Sequence, residues 1–195
     1  NGTGTWSLSG VNTYSGDTTI NASGGTLQIS SAGKLGSGSY AGAISIGSSS
    51  TFKYSSSADQ TLSNTISGQG QVIKDTSSSS TLTLGGDNTY SGGTSIKAGV
   101  LKVTTNASAL GSSTLTLGDT TGTNAASLLI ATTGLTVANA IIVSTNSSVG
   151  TLTIGSAGSI ASVIFSGGVT GSNNFTIANT TTTSLTFSGA INNAG

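Results

Sequence analysis

The side chains able to do acid–base or nucleophilic chemistry are few. The chain has 195 residues with five Asp and five Lys, and it contains no Glu, Arg, His or Cys. Imidazoles and thiolates, the usual general bases, nucleophiles and zinc ligands, are therefore absent. Arg, which clamps phosphate through two parallel hydrogen bonds, is absent as well. The available chemistry is that of hydroxyls, amides, five carboxylates and five amines.

The five carboxylates are the remaining candidates for a catalytic or calcium site. They are Asp17, Asp59, Asp75, Asp87 and Asp119. A glycosidase needs two carboxyl groups facing each other across a cleft, and a calcium-binding β-roll needs Asp in its successive turns. Here the acids are scattered and no Asp-x-Asp occurs. We expect solvated or turn-capping acids, with no catalytic residue, metal or cofactor, and a polysaccharide-degrading enzyme is the third hypothesis for function.

Charge and hydropathy exclude further classes. The formal net charge is zero, and five scattered Lys give no electrostatic footprint for nucleic acid. No apolar run approaches the ~18 residues of a membrane-spanning helix, so we expect no direct membrane insertion of this segment. The mean hydropathy is +0.18, which is opposite to the signature of disorder and indicates a buried core.

The apolar residues alternate with polar ones at the period of a β-strand. They form triplets whose outer residues point to one face and whose middle residue points to the other. The triplets begin at Leu27, Ile44, Phe52, Leu82, Leu101, Leu115, Leu152, Phe175 and Leu185. No segment has a helical apolar stripe, so the sequence predicts an all-β protein.

The strands repeat. Residues 10–29 (GVNTYSGDTTINASGGTLQI) return as residues 86–103 (GDNTYSGGTSIKAGVLKV), and later apolar pairs recur at 22-residue intervals. Such a period predicts a parallel β-helix of about 9 coils of roughly 22 residues. An antiparallel sandwich is the competing architecture, but it gives no reason for the constant spacing. Residues 1–195 are interpreted as a single β-helix segment, an excised part of a longer repeat protein.

These residues carry a family resemblance. The shared pattern is an Asn-Thr-Tyr-Ser-Gly corner, a Thr-x-Ile strand, a Gly, a Leu strand and a Leu-Gly pair, in copies near 2–36 and 78–111. It resembles the passenger-associated transport repeat of bacterial autotransporters, also described as the autotransporter-associated β-strand repeat. About ten positions recur jointly, which makes the pattern far more specific than NTYSG alone.

The resemblance implies a right-handed parallel β-helix in the secreted passenger of a Gram-negative type V secretion protein. It implies an extracellular or cell-surface location and a repeat that assists passage and folding outside the outer membrane. We expect a structural, non-enzymatic stalk whose partners are the neighbouring coils of the parent chain. An adhesin surface for host or glycan is the second hypothesis, and an ice-binding solenoid is a minor one.

The repeat corners have structural interpretations. The corner residues are Asn12, Tyr14 and Gly16 in the first copy and Asn88, Tyr90 and Gly92 in the second. We expect each Tyr ring to cover the edge of the core with its hydroxyl in water, and each Asn amide to bond local backbone. Trp6, the single indole, is expected to plug the core.

Three middle positions break the polar-outside rule and form a possible interaction stripe: Leu129, Ile142 and Ile164. Ile142 and Ile164 are 22 residues apart and are expected to stack on the outside of neighbouring coils, with Leu129 joining them. Either residues 144–150 fold over this stripe, or it meets a partner domain or a second rod.

Hydroxyl pairs and strand edges could also make contacts. The triplets Thr81-Leu82-Thr83, Thr114-Leu115-Thr116, Thr151-Leu152-Thr153 and Ser184-Leu185-Thr186 resemble the Thr ladders of ice-binding solenoids. Other triplets have Lys or Gln at the middle position, which would interrupt a flat Thr array. Both termini are expected to be cut coils whose exposed edges favour end-to-end or lateral self-association.

Overall fold

The computed structural model describes residues 2–76, 79–146, 150–179 and 184–193. Short β-strands and one 3-10 turn, Gly36–Gly38, make up its regular structure. The strands are β1 (Thr5–Leu8), β2 (Thr18–Ile20), β3 (Thr26–Ser31), β4 (Ser39–Tyr40), β5 (Ile44–Ile46), β6 (Thr51–Ser56), β7 (Gln60–Leu62), β8 (Ile66–Gly68), β9 (Gln71–Lys74), β10 (Thr81–Leu84), β11 (Thr94–Ile96), β12 (Gly99–Val103), β13 (Leu115–Leu117), β14 (Ala126–Ile130), β15 (Leu135–Val137), β16 (Ile141–Val143), β17 (Leu152–Ser156), β18 (Ser162–Phe165), β19 (Val169–Gly171), β20 (Thr176–Ala178), β21 (Ser184–Phe187) and β22 (Ile191–Asn193).

The strands form the faces of a parallel β-solenoid. The nine-strand face has the order β1-β3-β6-β9-β11-β13-β16-β19-β22, and the seven-strand face runs β4-β7-β10-β12-β14-β17-β20. Two three-stranded sheets, β2-β5-β8 and β15-β18-β21, occupy the same place in the chain order, and we call them the third face. The chain visits the nine-strand, seven-strand and third faces in turn, except that no seven-strand element lies between β1 and β2 and no third-face strand lies between β10 and β13. Each strand lies parallel to the one a full turn earlier. This confirms the predicted all-β parallel solenoid.

The nine-strand face gives the length of each turn. Its inward positions Trp6, Leu27, Phe52, Val72, Thr94, Leu115, Ile141, Val169 and Ile191 are aligned by the strand register. The intervals between them range from 20 to 28 residues, and the solenoid has about eight turns, close to the expected number. Turns of unequal length stay in register because the extra residues lie in the corners, where no strand pairing constrains them.

The core is one stack of inward side chains. Buried Ile, Leu, Val, Phe and Tyr from all three faces form a single cluster that runs from Ile29 to Val169. The triplet pattern predicts this placement well in the middle of the rod. In the outermost strands the inward residues are less covered, since Trp6 is 78% exposed and Ile177 is 49% exposed.

The middle residue of one triplet is buried, although alternation places it on the outward side and predicts that it is exposed. Thr83 is in the outward row of the seven-strand face, yet it is buried. Its register partners Thr61 and Lys102 flank it on the two neighbouring strands. Alternation sets the direction of a side chain, whereas neighbouring side chains determine how much solvent reaches it.

Among the described residues, no helix is long and apolar enough to span a membrane.

The inward and outward positions of β13 provide a direct test of the register. Leu117 is fully buried, and its neighbour Thr116 lies in the outward row opposite Ser95 and Ile142. We expect Leu117→Ala to lower the free energy of unfolding by about 2–5 kcal/mol, and the matched control Thr116→Ala to change it by about 0.5 kcal/mol or less. Equal losses in chemical denaturation would contradict the register.

Candidate functional site

The two copies of the repeat lie on different faces of the solenoid. In the first copy the strands equivalent by sequence are β1, β2 and β3, on the nine-strand, third and nine-strand faces. In the second copy they are β10, β11 and β12, on the seven-strand, nine-strand and seven-strand faces. From β1 to β10 the chain makes three full turns and advances by one face. The repeat is therefore a unit of a little over one turn that is independent of the face on which it begins.

Asn88 joins three successive turns in the second copy. The backbone N–H of Ile66, one turn earlier, donates to its Oδ1 at 2.7 Å, and its Nδ2 donates to the carbonyl of Ala109, one turn later, at 2.6 Å. The side chain is buried, and its bonds add to those of the corner backbone, in which the N–H groups of Thr89 and Ser91 donate to the carbonyls of Ile66 and Gly68. The expectation that this amide bonds local backbone is wrong, because both partners are about a turn away.

Asn12 makes the corresponding bond in the first copy. Its Nδ2 donates to the carbonyl of Lys34, one turn later, at 3.1 Å, and to the local carbonyl of Gly10 at 2.8 Å. It is half-buried and lies in the first turn of the structure. The bond to the following turn is thus common to both copies, and the local bond occurs at Asn12.

The two corner tyrosines differ in burial. Tyr90 is fully buried, and its hydroxyl shares a hydrogen bond of 2.6 Å with Thr94, whose own hydroxyl donates to the carbonyl of Leu110. Burial raises the pKa of Tyr90 above its usual value. Tyr14 is 39% exposed and shares a 3.0 Å hydrogen bond with Thr18. The predicted wet hydroxyl is therefore wrong for Tyr90.

A tyrosine outside the motif completes the first corner. The ring of Tyr40, one turn after Tyr14, stands edge-on to the Tyr14 ring with centroids 5.5 Å apart. Its hydroxyl shares a 2.7 Å hydrogen bond with Thr18 and donates to the carbonyl of Gly16. Burial is the main cause that raises the pKa of Tyr40. Tyr40 lies outside the repeated pattern, so the repeat gives no signal for its role in this corner.

The two corner glycines also differ in their surroundings. A Cβ at Gly92 would lie 2.4 Å from the carbonyl carbon and oxygen of Gly70 in the previous turn. At Gly16, no atom of the described residues, apart from Gly16 itself and its two chain neighbours, lies within 4 Å of the corresponding Cβ position. Gly92 is therefore required because the previous turn stacks closely against it. Gly16 has no such turn against it, and the space there would accept a Cβ.

Each carboxylate has a nearby structural partner. Asp17 and Asp59 accept the backbone N–H groups of Ala43 and Thr81, about a turn away, at 2.8 and 2.7 Å. Asp87 accepts from the hydroxyl of Ser108, while Asp75 and Asp119 accept from the N–H groups of the residues that follow them. The described residues contain no group of three or more His, Cys, Asp or Glu side chains placed to hold a metal ion. In this arrangement the acids join turns and cap corners.

Two acids also pair with lysines on the nine-strand side. Lys53 Nζ lies 2.8 Å from Asp75, and Lys97 Nζ lies 3.6 Å from Asp119. Partial burial acts to raise the pKa of Asp75, but the hydrogen bond and charge of Lys53 outweigh it and lower the pKa overall.

Lys74 is the one fully buried charged side chain among the described residues. Its Nζ donates to the carbonyl of Ala98 at 3.1 Å and lies 5.9 Å from the centre of the Tyr54 ring. Burial lowers its pKa from the usual value to about 8, although the charges of Asp75 and Asp59 oppose the shift. Alternation could have located it, because Val72 points inward and Lys74 is two residues further along the same strand.

Gln60 is a second polar side chain in the core. Its Oε1 accepts the N–H of Leu35 at 2.8 Å and its Nε2 donates to the carbonyl of Leu35 at 3.1 Å. Both bonds reach across to the previous turn, where the chain is not in a strand. Like Asn88, this side chain supplies the pair of bonds that a strand would otherwise supply.

The predicted interaction stripe is not formed. Leu129 lies on the seven-strand face between Lys102 and Gly155, Ile142 on the nine-strand face between Thr116 and Thr170, and Ile164 on the third face between Thr136 and Thr186. The prediction that these residues stack on one another is therefore wrong. The turns here are 26 and 28 residues long, so two residues that are 22 apart lie on different faces. Of the segment suggested to cover them, residues 147–149 lie outside the described residues.

The threonine pairs do not form one ladder either. Thr81 and Thr153 share the seven-strand face, but Val100 and Ser127 stand between them in the register. Thr116 is on the nine-strand face and Thr186 is on the third. The outward rows of the described strands are thus mixed in chemistry and contain no continuous flat array of hydroxyls.

The paired glycines allow a matched test of close stacking. We expect Gly92→Ala to lower the free energy of unfolding by about 1–3 kcal/mol, because the added methyl group forces the two turns apart. Gly16→Ala, at the same position of the motif, should change it by about 0.5 kcal/mol or less. Urea denaturation of both variants measures the difference, and two equal losses would show that the glycine serves the corner itself.

The buried amine of Lys74 predicts a pH dependence. Its folded pKa of about 8 lies below the value of about 10.4 in an unfolded chain. Between these values the unfolded chain binds more protons, so stability should increase as the pH rises from 8 toward 9.5. Lys74→Met should remove this increase, whereas the surface control Lys97→Met should retain it. The measurement is the denaturation midpoint at several pH values across this range. A midpoint that stays constant in the wild type would contradict the lowered pKa of Lys74.

Comparison with known proteins agrees with the repeat geometry. The family model described as the passenger-associated-transport-repeat matches residues 1–29 and 77–103. The first segment contains β1, β2 and most of β3, and the second contains β10, β11 and β12. These are the equivalent strands of the two copies. No curated protein and no solved structure matched the chain. The two segments of the chain that repeat in sequence, residues 1–29 and 77–103, are thus each similar to the passenger-associated-transport-repeat.

Proposed function

We propose that this chain is a structural, non-enzymatic stalk of an autotransporter passenger that is secreted or displayed at the bacterial surface. The observation that carries the proposal is the continuity of the rod. The nine-strand face runs through every described turn without interruption, and in the corners the side chains of Asn88 and Gln60 add bonds to the backbone bonds between turns. About eight turns at ~4.8 Å each make a rod about 40 Å long.

The chemistry of the surface supports a spacer. The outward rows mix Ser, Thr, Gln, Lys and single aliphatic residues, and the five carboxylates bond neighbouring backbone, hydroxyls or lysines. Such a surface is compatible with water along its whole length. The function of a spacer then depends on rigidity, which the bonds from each turn to the next provide.

Export-coupled folding is the second part of the proposal. A solenoid whose contacts lie between adjacent turns can fold turn by turn as the chain emerges. The repeat suits this process because Asn12 and Asn88 each donate to a carbonyl one turn later. Each copy of the repeat thereby fixes the position of the turn that follows it.

The export test is a surface-display assay on the full-length passenger. Asn88→Ala leaves the N–H of Ile66 and the carbonyl of Ala109 without their partner, so we expect several-fold less folded passenger at the surface. Thr116→Ala is the matched control and should display normally. The measurements are the amount of passenger displayed and its resistance to protease. If the Asn88→Ala passenger were displayed in normal amounts although it was sensitive to protease, a role of this bond in folding coupled to export would be contradicted.

Assays on the isolated protein distinguish the stalk hypothesis from the adhesin and enzyme hypotheses. A stalk should bind no glycan on an array and no host cell, and it should release no sugar from polysaccharides. Specific binding that is lost on substitution of outward residues would favour the adhesin. Hydrolysis that is lost in Asp17→Asn or Asp59→Asn would favour the enzyme.

A further inference from the structure

The ion pairs beside the nine-strand face belong to one row of charges. The row, which we call the charge row, contains Lys53, Asp75, Lys97 and Asp119, one in each of four successive turns and alternating in sign. Lys53 Nζ lies 2.8 Å from Asp75, and Lys97 Nζ lies 3.6 Å from Asp119. The charge of Lys97 also acts on Asp75 and helps to lower its pKa. Each of the first three members therefore has an opposite charge beside it in the following turn.

The apolar core does not distinguish the following turn from the one after it. On the seven-strand face, Leu62, Leu84 and Val103 are aligned in successive turns, and all three are buried. If the turn that contains Leu84 looped out, Leu62 would pack against Val103 with almost the same apolar contact, because the hydrophobic effect is non-directional. The core by itself therefore allows the chain to skip a turn.

The charge row does distinguish the two arrangements. Without the turn that contains Asp75, Lys53 would meet Lys97, and without the turn that contains Lys97, Asp75 would meet Asp119. Like charges on adjacent strands are destabilising. These side chains are partly buried, so solvent and salt screen them less than fully exposed charges. A skipped turn thus replaces an attraction with a repulsion.

Past Asp119 the contacts between turns are made by amides. Asn146 Nδ2 donates to the carbonyls of Asp119 and Gly122 at 3.2 and 2.7 Å, and Asn173 Nδ2 donates to the carbonyl of Asn146 at 2.6 Å. No charged residue occurs in residues 120–195. Because an amide can donate to any backbone carbonyl that it meets, these contacts favour stacking but do not select a particular turn.

We propose that the charge row sets the order in which the turns stack, by attracting the following turn of the chain and repelling the one after it. This ordering acts on turns that contain Lys53, Asp75, Lys97 and Asp119, where the core alone is permissive. The inference rests on the fold and not on the stalk function, since refolding of the isolated chain tests it without export.

Engineered disulfides report the order of stacking, because the chain has no Cys. Thr61, Thr83 and Lys102 are aligned in successive turns on the outward side of the seven-strand face. Thr61→Cys with Thr83→Cys should therefore cross-link in the native order. Thr61→Cys with Lys102→Cys joins positions two strand spacings apart, about 9.6 Å, which is beyond the reach of a disulfide unless a turn is skipped. The measurement is the intramolecular cross-linked fraction of each pair after dilute refolding under mild oxidation.

Neutralising the charge row should increase skipping. In a background with Lys53→Gln, Asp75→Asn, Lys97→Gln and Asp119→Asn, we expect the cross-linked fraction of the skipped pair to rise at least threefold. The control background removes one charge of each sign outside the row, by Asp17→Asn and Lys34→Gln, and should leave this fraction unchanged. A folded neutral-row protein without the rise, or an equal rise in the control, would overturn the proposal.

Salt provides a second measurement that needs no change in the charge row. In about 1 M NaCl the Debye length falls to about 3 Å, so the skipped pair in the original background should also cross-link at least threefold more. The pair Ser127→Cys with Thr176→Cys is the internal control. These positions flank Thr153 in the same outward row, in turns joined by amides, so salt should not change their cross-linking. No rise in salt for the first pair, or an equal rise for both pairs, would overturn the proposal.

Discussion

The fold depends on the bonding of each turn's backbone to the turns before and after it. Short turns satisfy some N–H and C=O groups within a corner, as between Gly33 and Ser30, but a strand has no internal hydrogen bonds and needs partners from neighbouring turns. Strands supply them along the nine-strand face, where the register is continuous from β1 to β22. The seven-strand and third faces add further strand pairing. In the corners, backbone bonds between turns, such as that from the N–H of Thr89 to the carbonyl of Ile66, are joined by bonds from polar side chains.

This constraint explains the polar groups in the core. Asn88, Gln60 and Lys74 are buried, and each donates to a backbone carbonyl of another turn. They occur where a strand is missing or ends, while the apolar residues fill the stack between the faces. The core therefore has a regular apolar part and local polar substitutes for strand pairing. A purely apolar corner would leave buried amide groups unpaired at a cost of about 1–3 kcal/mol each.

The repeat joins successive turns of the solenoid, but it does not determine on which face of the solenoid its strands lie. The first copy begins on the nine-strand face and the second on the seven-strand face, yet both direct an Asn Nδ2 to a carbonyl one turn later. The differences between the copies follow from their neighbours. Tyr90 and Gly92 are packed against a previous turn, whereas Tyr14 and Gly16 belong to the first turn of the structure and are exposed.

The sequence by itself determined the strand period, the parallel solenoid, the approximate number of turns and the identity of the repeat. These features are local or recur at intervals, and alternation and spacing express them directly. Tertiary structure decided the face on which each strand lies, because corners of variable length make the turns 20 to 28 residues long. That variation separated Leu129, Ile142 and Ile164 and rotated the second repeat by one face. It also decided the bonding of Asn88 and Tyr90, since a side chain's partner one turn away depends on which turn is stacked beside it.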